Sequence, residues 1–516
     1  MATLVRPVRR GPVSARQRAL PSWTIAVSVA VAVACRIPFI GHAPSPDEAG
    51  FLIVGRQWNG AGSSLYGNYW VDRPPLLITI FRLAASTGGL TALRLIGCLA
   101  VAGLVVGSAR VAGLIGGKQA ARWTAVTVTG LSVSLVGYGV NGELLAAPFV
   151  VAGFAAVIAA VRATDGRRAA ALAGAAGGLA MSALLIKQNF ADVAAFGAAA
   201  YIIAGLRREI PRRRLYHLIV ASTAGALLVL VVIGWWTVLH GTSLSGVFDA
   251  MYPFRIKAGH VMAVGGRQHA AFRLNLLLIM AFRTGLAIGL LVVVGHLISR
   301  RRPTETAWWA LLVATGFGGV SVFLGGNYWV HYLVELIGPA AIAVGVLAAR
   351  RYRGALAVVT YIGIAAALAW GVAVATPQGS DAKLVGQAVA MSAHPGDTIF
   401  AAYGRPNVVE ASGLSSPYPY LWSLPTKTLD PQLTALNAVL QSAAAPTYFV
   451  TWNGVRSWGL DSAATSELVA RDYRPLARVC GHTIYLRKGV ARSAPPLPTN
   501  CHLISPELAS IKEYAP

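Results

Sequence analysis

Apolar runs of about 17 to 25 residues, separated by short polar segments, recur along the chain from Trp23 to Ala375. At 1.5 Å of rise per residue, that is the length needed to cross roughly 30 Å of hydrocarbon. The pattern predicts membrane helices over about 23–40, 92–109, 120–138, 143–162, 170–186, 190–206, 215–239, 274–298, 306–325, 332–349 and 354–375. Residues 74–90 are also apolar but open on Pro74-Pro75, which leaves them between a half-helix and an interfacial segment, so the number of crossings lies between 11 and 13. Past residue 376 the long runs stop. Short β-type stretches at 398–402, 447–452 and 483–487 predict a small α/β domain over 376–490, followed by an irregular Pro-containing tail, 491–516. The expected fold is an all-α polytopic membrane protein with a small C-terminal α/β domain.

Composition agrees with that pattern. Of the 516 residues 55% are hydrophobic and 12% charged, and the mean hydropathy is +0.59. Soluble domains carry about 25% charged residues, so an ordinary soluble enzyme is excluded. The net charge of +25 would suggest a nucleic-acid partner in a soluble chain. Here the cations cluster between apolar runs, at 6–18, 110–122, 162–168, 207–214, 300–302 and 350–353, as cytoplasmic anchors do under the positive-inside rule. Nucleic acid is therefore not an expected partner. Alternating outward from these clusters makes residues 1–21 a basic cytoplasmic N-terminus and 22–375 a membrane domain, with outer loops at 41–73 and 240–273 and short ones at 141–143 and 327–331. It places everything after 376 outside. No signal-cleavage site follows the first apolar run. Cys480 and Cys501 fall in the outer region, where a disulfide between them is open; Cys35 and Cys98 sit in apolar runs as small hydrophobes.

Ten acidic residues precede residue 376, and this topology puts seven of them outside: Asp47, Glu48, Asp72, Glu143, Asp192, Asp249 and Glu335. Costly ionisable groups near a membrane tend to line sites, so the bias favours chemistry on the outer face. In Pro44-Ser45-Pro46-Asp47-Glu48, Ser45 and Glu48 match a capping box with Pro46 at the first helical position. That accounts for Glu48 well and for Asp47 only in part, which leaves Asp47 open as a general base. Downstream, Tyr66-Gly67-Asn68-Tyr69-Trp70-Val71-Asp72-Arg73-Pro74-Pro75 brings aromatic groups and a cation to the start of the next apolar stretch. Arg73 could hold a phosphate bidentately or simply snorkel to the headgroups.

An Asp-Glu pair after the first helix, followed by a basic-Pro-Pro-Leu motif, resembles the GT-C membrane glycosyltransferases. The nearest branch is that of the protein O-mannosyltransferase-like, aminoarabinose and galacturonic acid transferases. Asn141-Gly142-Glu143 with Pro148, and His331-Tyr332-Leu333 with Pro339, fit the same pattern. The resemblance covers about residues 22–350. It implies an inverting transferase that takes a hexosyl or pentosyl group from a polyprenyl-phosphate donor and delivers it to an envelope glycan, lipid or protein on the outer face of a bacterial cytoplasmic membrane. It implies Asp47 as base with Glu48 as fallback, Arg73 on the phosphate where several members have Lys, and Glu143 shaping the pocket with Tyr69, Asp72, His331 and Tyr332.

The 240–273 loop carries Arg255, Lys257, His260, Arg267, His269 and Arg273. Such a run is commonly a solvated face, yet a cationic loop over an acidic base would also stabilise a departing phosphate. Arg255 and Lys257 are the first candidates, beside Tyr252-Pro253-Phe254. Lys187 breaks the positive-inside pattern, so it either faces the site or pairs with Asp192. No cofactor is required by the sequence, no His or Cys set has zinc-ligand spacing, and a divalent cation between Asp47 and Glu143 is left open. A lipid-linked sugar transporter and a non-catalytic scaffold remain the alternatives. Sugar, acceptor and oligomeric state are not legible.

Overall fold

The computed structural model describes residues 20–135, 138–265, 267–299, 305–324, 326–376, 380–452, 460–498 and 500–501. The Arg clusters at 6–18 and 300–302 lie outside the described residues, as do the side chains of Arg267 and His269.

The membrane part runs α1 (Thr24–Ala34), α2 (Pro46–Gln57), α3 (Pro75–Thr87), α4 (Gly89–Leu135), α5 (Gly142–Arg162), α6 (Gly166–Ile186), α7 (Asp192–Leu206) and α8 (Arg212–Leu239). It continues through α9 (Leu244–Met251), α10 (Pro253–Gly265), α11 (Arg267–Arg283), α12 (Leu286–Ser299), α13 (Thr306–Leu324), α14 (Val334–Ala349) and α15 (Arg353–Ala375). Among the described residues seven helices are long and apolar enough to cross a membrane, or eight if the bent pair α11–α12 counts as one span. Shorter apolar helices at 24–39, 75–87 and 192–206 accompany them. The chain is a polytopic helical membrane protein.

The expected spans at 92–109 and 120–138 correspond to two helices that meet at a kink at Gly117, whose φ of 79° falls in the left-handed region. Two sequence expectations are corrected. The span at 274–298 is two helices meeting at 67°, with the bend at Thr284-Gly285. The 240–273 loop is helical. On its α9 and α10, Ala250, Phe254 and Ala258 recur every fourth residue and are buried, while Phe248, Tyr252 and Ile256 are exposed. That 3.6-residue period was obscured by the cations on the solvated face. Residues 74–90 resolve into α3, 13 residues long. At 1.5 Å per residue this is about 20 Å, a half-helix.

Packing divides the helices by depth. The span ending in α14 has 89% of its apolar window buried, against 6% for α8, so the first forms the centre and the second faces lipid. A helix that is apolar all round can occupy either place. α8 is held through close backbone approach to α6, where a Cβ on Gly225 would fall on the Gly174 carbonyl. Small residues permit such approach between helices in lipid.

The C-terminal part contains α16 (Asp381–Ser392), α17 (Pro406–Ser412), α18 (Ser423–Leu429), α19 (Thr434–Gln441) and α20 (Ala463–Asp472). With them is a sheet of β1 (Ile399–Ala402), β2 (Tyr448–Thr451), β3 (Tyr473–Val479) and β4 (His482–Arg487), in the order β1-β2-β4-β3. β1 and β2 are parallel, and the other two pairs antiparallel. Sequence reading missed β3. Its Pro475 argues against a central strand, and β3 is an edge strand, where Pro is tolerated. Cys480 is joined to Cys501 with their Cα atoms 5.1 Å apart, and Arg492 ties the tail to Asp397 at 2.8 and 2.9 Å.

The two parts dock through the segment between α1 and α3. Arg56 of α2 pairs bidentately with Glu410 of α17 at 2.7 and 3.0 Å, and the Ser416 N–H donates to the Tyr69 hydroxyl at 3.0 Å. The Trp70 N–H donates to the Pro419 carbonyl, also at 3.0 Å.

α2 itself is fixed from below. Ser45 and Glu48 form the capping box, and the fully buried Glu48 does more than cap. Its Oε1 lies 2.6 Å from Arg94 Nε and accepts the Val140 N–H at 2.8 Å, while Oε2 accepts from Arg94 Nη2 at 2.8 Å. Arg94 also donates to the carbonyls of Phe39 and Tyr138, and Arg36 to those of Tyr138 and Gly139. Removing one partner of a buried pair strands the other charge and costs about 3–5 kcal/mol. Arg94→Ala is therefore expected to lower the thermal unfolding midpoint in detergent markedly, whereas Asp47→Asn, one residue along but half-buried, is expected to leave it near wild type.

Candidate active site

Seven chain segments converge where the C-terminal part meets the helix bundle. The first turn of α2 brings Asp47, and the segment before α3 brings Asp72 and Arg73. The start of α5 brings Glu143, the C-terminal end of α6 brings Lys187, and α10 brings Arg255. A 3₁₀ turn, Val330–Leu333, brings His331 and Tyr332, and Trp422 caps α18.

Each position has a local cause. Ser45 accepts the Glu48 N–H and so starts α2 one residue before Asp47. Rigid Pro74 and Pro75 open α3 directly after Arg73. The Asn141 side chain accepts the Leu144 N–H at 2.9 Å, which caps α5 and sets Glu143 in its first turn.

Asp72 is the hub for the cations. Its Oδ1 lies 2.9 Å from Arg73 and its Oδ2 2.7 Å from Arg255. One carboxylate thus orients two guanidinium groups and, among the described residues, leaves most of their ten N–H donors unused. Arg255 Nε is buried with no hydrogen-bond partner among the described residues. Arg73 lies over the Phe51 ring at 5.4 Å. Burial alone would lower the Arg73 guanidinium, but Asp72, then Asp47 and Glu143, outweigh it and hold the group above its ordinary value. Arg73 is a permanent cation.

The second cluster is deeper. Glu143, 2% exposed, lies 2.7 Å from Lys187 Nζ and 3.7 Å from His331 Nε2. Lys187 sits 5.3 Å above the Tyr332 ring. The two clusters are near enough to act on one another, since Lys187 feels Arg73 and Arg255, and Tyr332 feels Asp47, Arg73 and Arg255. Asp47 differs from Asp72 and Glu143 in its pairing. Its Oδ1 accepts from Trp422 Nε1 at 2.9 Å, and no cation pairs with it among the described residues. One carboxylate oxygen is left for another partner.

Several candidates have other roles than those expected. Glu48, offered as the fallback base, is sealed in the Arg94 pair and cannot reach a substrate. Tyr69, expected in the pocket, is buried with its hydroxyl engaged by Ser416 and serves the docking of the C-terminal part. Lys257 is exposed and makes no ion pair among the described residues; two residues on from Arg255, it lies about 200° round the helix, away from Asp72. Lys187 pairs with Glu143, not Asp192, which lies with Glu335 instead. Of the two acids between which a divalent cation was left open, Glu143 is paired with Lys187. Among the described residues no three His, Cys, Asp or Glu side chains are grouped to hold a metal.

Trp422 was missed altogether. It lies 375 positions from Asp47, and no spacing rule connects them. Arg94 could have been found, since an Arg inside an apolar run requires a partner.

Comparison of the whole structure gives the fold a name. ArnT from Cupriavidus metallidurans, bound to undecaprenyl phosphate, matches with a TM-score of 0.61 at 14% identity, over 90% of this chain and 97% of that one. The chain has the GT-C fold. The Archaeoglobus fulgidus oligosaccharyltransferase in complex with zinc and sulfate matches with a TM-score of 0.54 at 13% identity, over 83% of this chain and 67% of that one. The archaeal oligosaccharyltransferase AglB from the same organism, in complex with an inhibitory peptide and a dolichol-phosphate, gives 0.54 at 12%, over 83% and 69%. At the level of sequence, no protein-family model and no curated protein matches. The GT-C resemblance read from short motifs thus survives as three-dimensional similarity.

Within this site, the buried Lys187–Glu143 pair has a measurable consequence. Lys187→Met is expected to cost about 3–5 kcal/mol of stability by leaving Glu143 unpaired in a dry place. The double variant Lys187→Met with Glu143→Leu is expected to recover most of that loss, as thermal unfolding of the two purified variants would show.

Proposed function

We propose that this protein is an inverting glycosyltransferase that moves a sugar from a polyprenyl-phosphate donor to an envelope acceptor, glycan, lipid or protein, on the outer face of a bacterial cytoplasmic membrane. The observation that carries this reading is a half-buried carboxylate with a free oxygen, Asp47, beside two guanidinium groups held by one shared Asp72, with Arg255 Nε unpartnered. The fold supports it, because the ArnT structure holds undecaprenyl phosphate and the AglB structure a dolichol-phosphate.

In this mechanism the acceptor hydroxyl approaches the anomeric carbon on the face opposite the phosphate. Asp47 takes its proton as the new C–O bond forms. The anomeric C–O bond to phosphate breaks, and the leaving polyprenyl phosphate gains a charge that Arg73 and Arg255 are already oriented to receive. Their shared carboxylate spares the site the cost of ordering two long side chains during the reaction. Lys187, Glu143, His331 and Tyr332 form the wall next to this cation pair. A lipid-bound donor explains why the site opens at the end of a membrane bundle, and the positive-inside reading of the basic clusters supports that end being the outer one.

Purified enzyme incubated with a panel of radiolabelled polyprenyl-phosphate sugars and membrane extract is expected to transfer label from at least one donor. Asp47→Asn should lose roughly 10²–10⁴-fold in rate, as loss of a general base does, and Arg73→Ala should lower kcat and raise the KM for donor together, because it meets the phosphate in the ground state and the charge that develops on it. Asp47→Asn turning over at the wild-type rate would remove Asp47 as the base.

A further inference from the structure

The indole of Trp422 comes from the C-terminal part, yet it ends on the candidate base. Its backbone is set as the N-cap of α18, where the Trp422 carbonyl accepts from the Thr426 hydroxyl at 3.1 Å. Its ring is set by α2. A Cβ on Gly50 would overlap the six-membered ring of the indole, so only glycine permits the approach. Phe51 lies 5.1 Å away at an interplanar angle of 37°. Held on these sides, the ring directs Nε1 to Asp47 Oδ1 at 2.9 Å. The Arg56–Glu410, Ser416–Tyr69 and Trp70–Pro419 contacts hold the C-terminal part in register around it.

We infer that Trp422 is a positioning residue of the transfer site, whose indole N–H fixes the Asp47 carboxylate so that one oxygen is engaged and the other is turned to the acceptor hydroxyl. The C-terminal part is then a component of the active site as well as an appended domain. Asp47 otherwise has a freely rotating terminal carboxylate at a half-exposed helix start, and a base that samples several orientations loses near-attack geometry. An indole is suited to the task because it donates one hydrogen bond and accepts none, so it cannot compete for the proton that Asp47 is to take. The inference rests on the reading of Asp47 as the base.

The test combines kinetics with a spectroscopic signature. Trp422→Phe keeps a ring and removes the N–H; it is expected to lower kcat about tenfold, the loss of one hydrogen bond to a charged group, while leaving the KM for donor unchanged. In an Asp47→Asn background the same substitution should cost nothing further, because a residue that acts through Asp47 has no effect once the base is gone. Gly50→Ala, which displaces the ring without altering it, should reproduce both results and serves if Trp422→Phe folds poorly. Independently of turnover, the Trp422 indole ¹⁵N–¹H resonance of the full-length protein in nanodiscs, assigned by its loss in Trp422→Phe, should shift in Asp47→Ala.

An equal loss in both backgrounds, an unchanged kcat, or a resonance that does not move would each overturn the positioning role. Asp47→Asn at full activity would instead sink the base reading itself, whatever Trp422 does.

Discussion

The structure depends on a carboxylate that does no chemistry. Glu48 is enclosed by Arg94, the Val140 N–H and its own helix start, so three sequence-distant segments meet on one side chain. Inside a bundle that excludes water, that pair cannot be exchanged for solvent, and its geometry is correspondingly fixed. Asp47 is the next residue. The neighbouring positions divide the work: one anchors the helix start to the bundle, and the other projects from it half-exposed. On the proposed reading, the Asp-Glu pair is a base, Asp47, beside its mount, Glu48.

Asp72 does for the cations what Glu48 does for the helix. Two arginines from different elements, one before α3 and one on α10, are aligned by a single acid. They retain donors for an anion that the acid does not satisfy. Glu143 and Lys187 neutralise each other beneath them, which keeps the floor of the site from repelling either charge. On the proposed reading, binding of a phosphate adds the missing anion to a site built with its counter-charges in place, and the acid beside it remains free for the proton. The C-terminal part closes the arrangement, since it meets Asp47 through Trp422 and the helix α2 that carries Asp47 through Glu410.

Much of this was legible before any coordinates. Apolar runs of membrane length, the Arg clusters and the capping box each carry local physical signals, and they located the bundle, the start of α2 and the order of the motifs. What remained hidden was non-local or masked. The helices between 240 and 273 were concealed by their own charged face. The edge strand β3 was concealed by its Pro475. Glu48 stayed on as the fallback behind Asp47, because its pairing partner lies 46 residues away inside an apolar run. Trp422 gave no signal at all: an aromatic residue in a small α/β domain is ordinarily core, and only docking turns it toward a carboxylate on the other part of the chain.

The central claim, that the cation pair and Asp47 form one site for a lipid phosphate, is tested most directly by a cryo-EM structure of the full-length protein in nanodiscs with undecaprenyl phosphate. The account predicts density for the phosphate within hydrogen-bond reach of both Arg73 and Arg255, with Arg255 Nε among its donors and the Asp47 carboxylate on the open side. Phosphate density seated elsewhere on the bundle, with Arg73 and Arg255 still satisfied by Asp72 alone, would contradict it.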